Sequence, residues 1–493
     1  MSLKQTKKSI FDYIASMSYG IMKLVRVIKD KAFAFYGKIL LKDIQKNMYI
    51  IGLTGTKGKT TTIDAICHIL KKLDIKFCAY TTSFEMINGE KKDHSDKSAF
   101  LSKQSRSTMP GRAAVHKFIK KGYESGAKIA IIEATSVGLN QHRGDYIEWD
   151  LAAITNLQPE HLEMHNNSFE SYKKAKGILF KQLSKYKEKR IDNSKVFKTM
   201  IANLDDETSE YYLSFKAKEK IGYCLDKNIE QKSKIMGIDL FKPNSYQIDD
   251  SGVNLFFEKD SLIIKSSLLG KFSAYNIMLA YLITHKIANV FKIQDSTEKI
   301  LNAINDYKGP DGRMNFIKTQ DNITIVVDYA HTPDSLENIY STLKKLNYNK
   351  TIGLLGSCGT MLRAVNLQGI TKSGGVRDMG KRKIMGKVVE KYCDKIILTN
   401  EDPYGEQIID IINDIAEGIE DKDKIIKIEN RKEAIQKGID MLSSGDILVI
   451  TGKGSEKSIA LEGGIRGNLV EQDWEGDLNI ALNYLKEVNK EII

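Results

Sequence analysis

The segment Gly55-Thr56-Lys57-Gly58-Lys59-Thr60 has residue types and spacing that imply chemistry most directly. Glycines let backbone N–H groups close on phosphate oxygens, and a following helix turns its positive end toward the same anion. Lys59 is placed to reach the β- and γ-phosphates, and the Thr60 hydroxyl to ligate Mg²⁺. Leu53 stands where a strict loop of this kind has its first glycine. Strand, glycine loop and helix in that order predict ATP binding by Gly55, Thr56, Lys57, Gly58, Lys59, Thr60 and Thr61.

Three further groups stand behind this loop. Glu133 ends the apolar run Ile129–Ile132, His161 and His165 follow the apolar run Leu151–Ile154, and Lys176 lies in Tyr172-Lys-Lys-Ala-Lys-Gly177. Taken singly, each has an ordinary role: a carboxylate capping a helix, a surface histidine, a solvated charge. Ligands of open α/β sheets gather at the C-terminal ends of strands, and Glu133 falls there.

The elements that would position these groups are legible. Met48–Leu53, Ile129–Glu133 and Leu151–Thr155 read as buried strands, while residues 59–73, 168–186 and 274–290 read as helices. A second series begins after Gly309-Pro310, with strands expected at Ile323–Asp328, Thr351–Leu355, Lys395–Thr399 and Asp446–Thr451. This alternation predicts an α/β fold: a central P-loop-type domain with a mostly parallel sheet, then a smaller Rossmann-like α/β C-terminal domain. The expected divisions are a helical N-terminal extension over 1–47, a central ATP-binding domain over 48–308 and a C-terminal domain over 309–493.

Composition narrows the class. With 493 residues, 42% hydrophobic and 28% charged, the chain is neither wholly disordered nor a polytopic membrane protein. Of the net charge of +12, residues 1–48 supply +7, from ten Lys/Arg against three Asp. The remainder is only mildly basic, so the overall charge does not indicate nucleic-acid binding. Five scattered cysteines without a CxxC pair fit reduced thiols in a cytoplasm. Within residues 8–46, Ile10, Ile14, Met17, Ile21, Leu24, Val25 and Ile28 recur at helical spacing, with lysines elsewhere. Two roles compete for this helix: packing on the following domain, or resting on an anionic membrane.

The ordered strings GLTGTKGKTTT (52–62), EATSVGLNQHR (133–143), TNLQPEHLEMH (155–165), YKKAKGILF (172–180), SAYNIMLA (273–280), GRM (312–314), VVDYAHTPDSLE (326–337), RDMGKR (377–382) and TGKGSE (451–456) together resemble the Mur ligases. DYAHTP and QHR favour the muramyl-tripeptide synthetase branch. The resemblance implies that ATP phosphorylates a substrate carboxylate and that an incoming amine attacks the acyl phosphate. It implies Lys59 and Thr60 on the phosphates, with Thr60, Glu133, His161 and Lys176, the last as a carbamate, at the metal. It further implies Asn276 at the base, and Arg313, Asp328 and His331 on the nucleotide. Ser107, Thr108, Thr135, Gln141 and Arg143 align with positions that hold a UDP-muramyl dipeptide. Arg377, Asp402, Gly452 and Glu456 align with positions on the incoming amino acid, where Glu456 would hold a distal ammonium.

Three departures accompany the resemblance. Only 51 residues precede Gly52, where family members carry about a hundred that cradle uridine; either the uridine end is held differently or the substrate is not a UDP-sugar. Glu401-Asp402-Pro403-Tyr404 stands where Asp-Asn-Pro-Arg selects diaminopimelate, and tyrosine does not replace a bidentate guanidinium. Residues 360–375 read as an insertion into a glycine loop. The other function classes considered are a folylpolyglutamate-synthetase-like ligase and a non-catalytic ATP-binding partner protein.

Overall fold

The computed structural model describes residues 25–93, 109–160, 162–226, 229–249, 251–258, 261–359, 379–454, 456–463 and 468–492. His161, Ser107, Thr108, Arg377, the 360–375 insertion and the first 24 residues of the basic extension therefore lie outside the described residues. The chain forms two compact units, one comprising Met1–Gln247, Asn254–Ser266 and Phe272–Tyr307, the other mainly Lys308–Ile493.

In the first unit, a helix α1 over residues 25–41 leads into β1 (Tyr49–Thr54), followed by α2 (Lys59–Lys72). Next come β2 (Phe77–Tyr80), β3 (Phe84–Ile87), β4 (Glu90–Asp93), α3 (Ala114–Glu124), β5 (Ile129–Glu133) and the short α4 (Ser136–Asn140). After these come β6 (Leu151–Ile154), α5 (Phe169–Leu183), β7 (Thr199–Asn203), β8 (Glu219–Tyr223), β9 (Asp239–Phe241) and α6 (Lys271–Phe291). The sheet order is β9-β8-β7-β6-β1-β5-β2-β3-β4. All pairings from β9 to β2 are parallel, while β3 and β4 add an antiparallel edge. Every residue of β1, β5 and β6 is buried, as their continuous apolar runs require of central parallel strands.

Register aligns the functional ends. Leu53 pairs with Glu133 and Thr54 with Ile154, so the loops after β1, β5 and β6 emerge side by side. Close packing sets the height of α5 over β1: a Cβ on Gly52 would lie 2.5 Å from a methyl of Leu179. Lys176 is one turn before Leu179 on the same buried face, which carries it to the end of β1.

α1 packs inward through Ala34 and Leu41, with Gly37 so close to His116 that a Cβ would come within 2.4 Å of its ring. The described part of the basic extension is thus a packed helix on this face.

The second unit contains β10 (Asn315–Lys318), β11 (Thr324–Asp328), α7 (Pro333–Leu343), β12 (Thr351–Leu355), α8 (Gly380–Glu390), β13 (Lys395–Leu398), α9 (Ile408–Ala416), β14 (Ile425–Lys427), α10 (Arg431–Asp440), β15 (Ile447–Thr451) and α11 (Asp477–Glu487). Its sheet order is β10-β11-β15-β12-β13-β14, parallel except for β10. Two apolar clusters cover its faces, one around Leu336, Met385 and Ile412, the other around Ile435, Ile439 and Leu485. The four strands expected from sequence all form here, and both units show the expected helix-covered, mostly parallel sheets.

Candidate active site

The loop after β1 turns through Gly55, at φ +144°, and Gly58, at φ +83°. A Cβ on Gly55 would fall 1.9 Å from the Thr155 hydroxyl, and one on Gly58 2.3 Å from Asn276 Oδ1. Glycine is therefore required for both conformation and space. Gly58 caps α2 without a side-chain hydrogen bond, leaving the first-turn N–H groups directed at the loop. The β6 loop holds the other side. Thr56 N donates to Asn156 O at 2.9 Å, Lys57 N to Asn156 Oδ1 at 3.0 Å, and Thr155 Oγ1 to Lys57 O at 2.6 Å.

Glu133, almost fully buried at the end of β5, accepts from Thr60 Oγ1 at 3.1 Å, Thr82 N at 2.9 Å and Thr82 Oγ1 at 2.7 Å. Lys59 Nζ donates to Thr56 O at 2.8 Å and stands 3.8 Å from Glu133. Lys176 Nζ donates to Gly55 O at 2.7 Å and lies 4.6 Å from the Tyr172 ring centre. Tyr172 in turn contacts the Thr56 hydroxyl at 3.3 Å. Burial, reinforced by the nearby Lys59 charge, pushes the Lys176 amine well below its usual pKa. Buried Asn276 Oδ1 accepts from Thr62 at 3.4 Å, so the predicted base contact faces the helix start in this geometry.

Thus Gly55 to Thr61, Glu133, Lys176 and Asn276 come together around this loop. Thr82 and Tyr172 were missed; a hydroxyl at a strand end or inside a helix has no local signature. A Thr60 hydroxyl and a Glu133 carboxylate are hard oxygen donors of the kind Mg²⁺ takes, and a carbamate on Lys176 would be a third. Among the described residues, no group of three His, Cys, Asp or Glu side chains could hold a metal by itself.

Beside this loop, Thr135 caps α4, its hydroxyl accepting from Gly138 N at 3.3 Å. Arg143 donates to Met109 O at 2.5 Å and to Gln141 Oε1. These neutral oxygens hold the guanidinium of Arg143 in place.

In the second unit, two clusters form at the C-terminal edge of the sheet. Asp328 ends β11, and its two oxygens accept from Ala330 N at 2.7 Å and Met314 N at 2.8 Å. The resemblance implies a nucleotide role for Asp328; in the structure its two oxygens organise the Met314 and Ala330 turns, and each keeps a further acceptor site. Burial raises its pKa against the opposing pull of Arg313. The Arg313 guanidinium sits 4.3 Å from the Tyr329 ring centre, and His331 Nδ1 lies 2.9 Å from Tyr329 O.

The other cluster joins the loops after β13 and β15. Buried Lys453 donates to Asp402 Oδ1 at 2.9 Å and to Glu456 Oε2 at 2.5 Å, and Tyr329 OH donates to Glu456 Oε1 at 2.8 Å. Glu456, expected to hold a distal ammonium, is thus engaged on both oxygens by the chain itself. Burial raises its carboxyl pKa and Asp402 adds to the rise, against Lys453. Burial works against the Lys453 ammonium, but Glu456 and Asp402 outweigh it and hold its pKa above the usual value. Gly452, at φ +113°, leaves room that a Cβ would take 2.8 Å from Glu401 Oε2. The fully buried Arg431–Asp477 pair braces this edge, Arg431 also donating to Asn400 O and Thr451 O. Lys453 and Tyr329 were missed, although both lie inside motif strings.

A strand, glycine loop and helix with a carboxylate and a buried lysine beside the loop, and a second α/β unit with a charged strand-end cluster, are the features of an ATP-dependent ligase. The chain belongs to the Mur ligase family. Residues 53–284 match the Mur ligase middle domain, and residues 312–454 match the Mur ligase, glutamate ligase domain. The chain is 31% identical over 442 residues to the UDP-N-acetylmuramoyl-L-alanyl-D-glutamate–2,6-diaminopimelate ligase of Aquifex aeolicus, covering 89% of this chain and 78% of that protein. It is 32% identical over 437 residues to the UDP-N-acetylmuramyl-tripeptide synthetase of Borreliella burgdorferi, with 87% and 76% covered. A solved structure of a UDP-N-acetylmuramoyl-L-alanyl-D-glutamate–2,6-diaminopimelate ligase matches with a TM-score of 0.57 at 25% identity, over 94% of this chain and 83% of that one. A Mycobacterium tuberculosis folylpolyglutamate synthase bound to ADP shares the fold at 15% identity, with a TM-score of 0.56 over 87% of this chain and 92% of that one.

Proposed function

We propose that this ligase joins an amino acid to UDP-N-acetylmuramoyl-L-alanyl-D-glutamate in peptidoglycan precursor synthesis, through an acyl phosphate, in the cytoplasm. The observation that carries this reading is the convergence of Lys59, Thr60, Glu133 and Lys176 around the loop after β1. A carboxylate must meet a triphosphate, so the site must neutralise anions on both. First-turn N–H groups of α2 and the Lys59 ammonium receive the phosphates. Thr60, Glu133, a carbamylated Lys176 and His161 would hold Mg²⁺, which supplies charge neutralisation and orients the phosphates. Burial lowers the pKa of the Lys176 amine, so it gives up its proton more readily than a free lysine and more readily forms an N–C bond to CO₂, releasing one proton. Thr135, Gln141 and Arg143, with Ser107 and Thr108, hold the muramyl peptide. Arg313, Asp328, His331 and Asn276 serve the nucleotide.

Arg377, Asp402, Gly452 and Glu456 serve the incoming amino acid. Among the described residues at this sheet edge of the second unit, the carboxylates Glu401, Asp402 and Glu456 stand beside the Lys453 ammonium, while the neighbouring Arg431 is paired with Asp477. That excess of negative charge supports a diamino acid whose distal group is an ammonium, and Tyr404 lacks the charge to pair a second carboxylate.

Phosphate release from ATP and Mg²⁺ should require both the muramyl dipeptide and one amine from lysine, ornithine, meso-diaminopimelate and glutamate. Lysine or ornithine is the expected amine. Release with none of them overturns the assignment, and release with a folate and glutamate assigns the folylpolyglutamate reaction instead.

A further inference from the structure

The helix α1 is apolar on two opposite faces. At about 100° per residue, Ala34, Gly37 and Leu41 fall together on the face packed against the first unit. Val25, Ile28, Ala32, Phe35 and Ile39 recur at alternating spacings of three and four on the other face. This second stripe is open: Ile28 is 59% exposed, Phe35 53% and Ile39 61%. Tyr36 and Tyr146 extend it, the Tyr146 ring meeting Phe35 edge-on at 6.3 Å between centres. A helix lying on a domain normally turns a polar face outward. This one turns outward a contiguous aliphatic and aromatic stripe.

The charge around the stripe is of one sign. Exposed Lys31, Lys38 and Lys42 run along one flank, and exposed Arg26 and Lys29 lie toward the other. Asp43, the exposed acid at the helix end, is paired with Lys46 at 3.4 Å. Lys38 Nζ lies over both rings, 5.8 Å from the Phe35 ring centre and 5.4 Å from that of Tyr146, so a cation stands against the aromatic part of the stripe. Lysines with apolar stems laid beside such a stripe keep their ammonium groups at headgroup level when the stripe enters the acyl boundary. No described helix is long and apolar enough to cross a membrane, so the fitting geometry is a helix in the plane of the surface.

We propose that the outward face of α1 docks this ligase on an anionic membrane surface. Apolar area supplies the insertion, and the flanking lysines supply attraction to acidic headgroups. This goes beyond the catalytic reading and does not depend on it, since none of these residues belongs to the phosphate loop or the acceptor clusters.

The full-length protein is sedimented with vesicles of phosphatidylcholine alone or with roughly one-third phosphatidylglycerol, at low and high salt. Pelleting is expected with the anionic vesicles only, and is expected to fall as salt rises. The triple variant Ile28→Glu, Phe35→Glu, Ile39→Glu should lose at least ~tenfold in vesicle affinity. It should keep wild-type melting temperature and ligase turnover. If it fails to fold, Lys31→Glu, Lys38→Glu, Lys42→Glu replaces it, with a comparable loss expected. The proposal is overturned if the wild type does not pellet with anionic vesicles, if it pellets equally with neutral ones, or if the variants pellet as well as the wild type. It is equally overturned if the triple variant only converts a dimer to a monomer in sedimentation velocity, which would assign the face to a second copy of the chain.

Discussion

The phosphate loop of the first unit and the strand-end pocket of the second are built on the same plan, yet they handle charge in opposite ways. Around the loop, carboxylate and cations come from segments that register sets side by side, and backbone groups hold most of them. Glu133 is fixed by Thr82 and Thr60, while Lys59 and Lys176 each donate to a carbonyl of the loop itself. The Lys59 ammonium there is not consumed by a tight ion pair, since it stands 3.8 Å from Glu133. In the second unit, Lys453 is clasped by Asp402 and Glu456, and Tyr329 closes the remaining oxygen of Glu456. The first site keeps the Lys59 ammonium for an anion; the second engages its Lys453 cation internally with Asp402 and Glu456.

That contrast breaks first at Lys176. Lys176→Ala is expected to lower turnover by on the order of 10³-fold or more, because a charge-neutralising group at the reacting centre is removed. Short carboxylates added to the assay should restore part of the rate. A variant that keeps full rate in a phosphate-release assay would remove Lys176 from the site and leave the first unit a mere binding loop. Glu133→Gln comes next, with a loss of roughly 10²–10³-fold expected in kcat and a weaker dependence on Mg²⁺ concentration. An unchanged Mg²⁺ titration would count against Glu133 as a ligand.

In the second unit the expected signature is different. Lys453→Met leaves buried Asp402 and partly exposed Glu456 close together and unneutralised. Their mutual repulsion should disorder the pocket and raise KM for the amine by ~tenfold or more, with a smaller change in KM for ATP. Equal effects on both KM values would mean that the cluster is structural and not part of an amine pocket. Thr82→Val sharpens the first region again: it removes one of the donors to Glu133 while keeping the β-branched shape. A loss of about 1–2 kcal/mol, read as a several-fold drop in kcat, is expected.

Legibility in the sequence follows the same divide. The loop was readable because its chemistry is local: a strand, glycines that close approach and positive φ require, then a helix, all within one short window. Glu133 and Lys176 were readable because each is tied to an element with strong periodicity, one ending a buried strand and the other one turn before Leu179. The second-unit pocket was only partly readable. Its partners come from distant positions, as with Lys453 and Asp402, and their pairing is set by strand order and by the buried Arg431 brace. Glu456 shows the cost: the expected residue is in the pocket, but its partners in the chain are not visible from spacing. The two roles weighed for the N-terminal helix were set against each other because one apolar face was assumed; the structure shows two.

The smallest effect expected lies where that helix meets the first unit. His116 is fully buried against Gly37 of α1, with Nε2 2.8 Å from Asp145 O. Burial lowers its pKa below the usual 6.5. A depressed folded-state pKa means the unfolded chain takes up a proton first as pH falls, so the stabilising difference is present above 6.5 and is lost below it, toward the folded pKa. Melting temperature should therefore decline as pH is taken below 6.5, and His116→Gln should flatten that part of the profile. Because His116 touches α1 and neither catalytic region, turnover measured well below the melting temperature should not follow the change. A variant that shifted turnover with pH as strongly as stability would tie α1 to the phosphate loop and erase the separation between anchoring and catalysis.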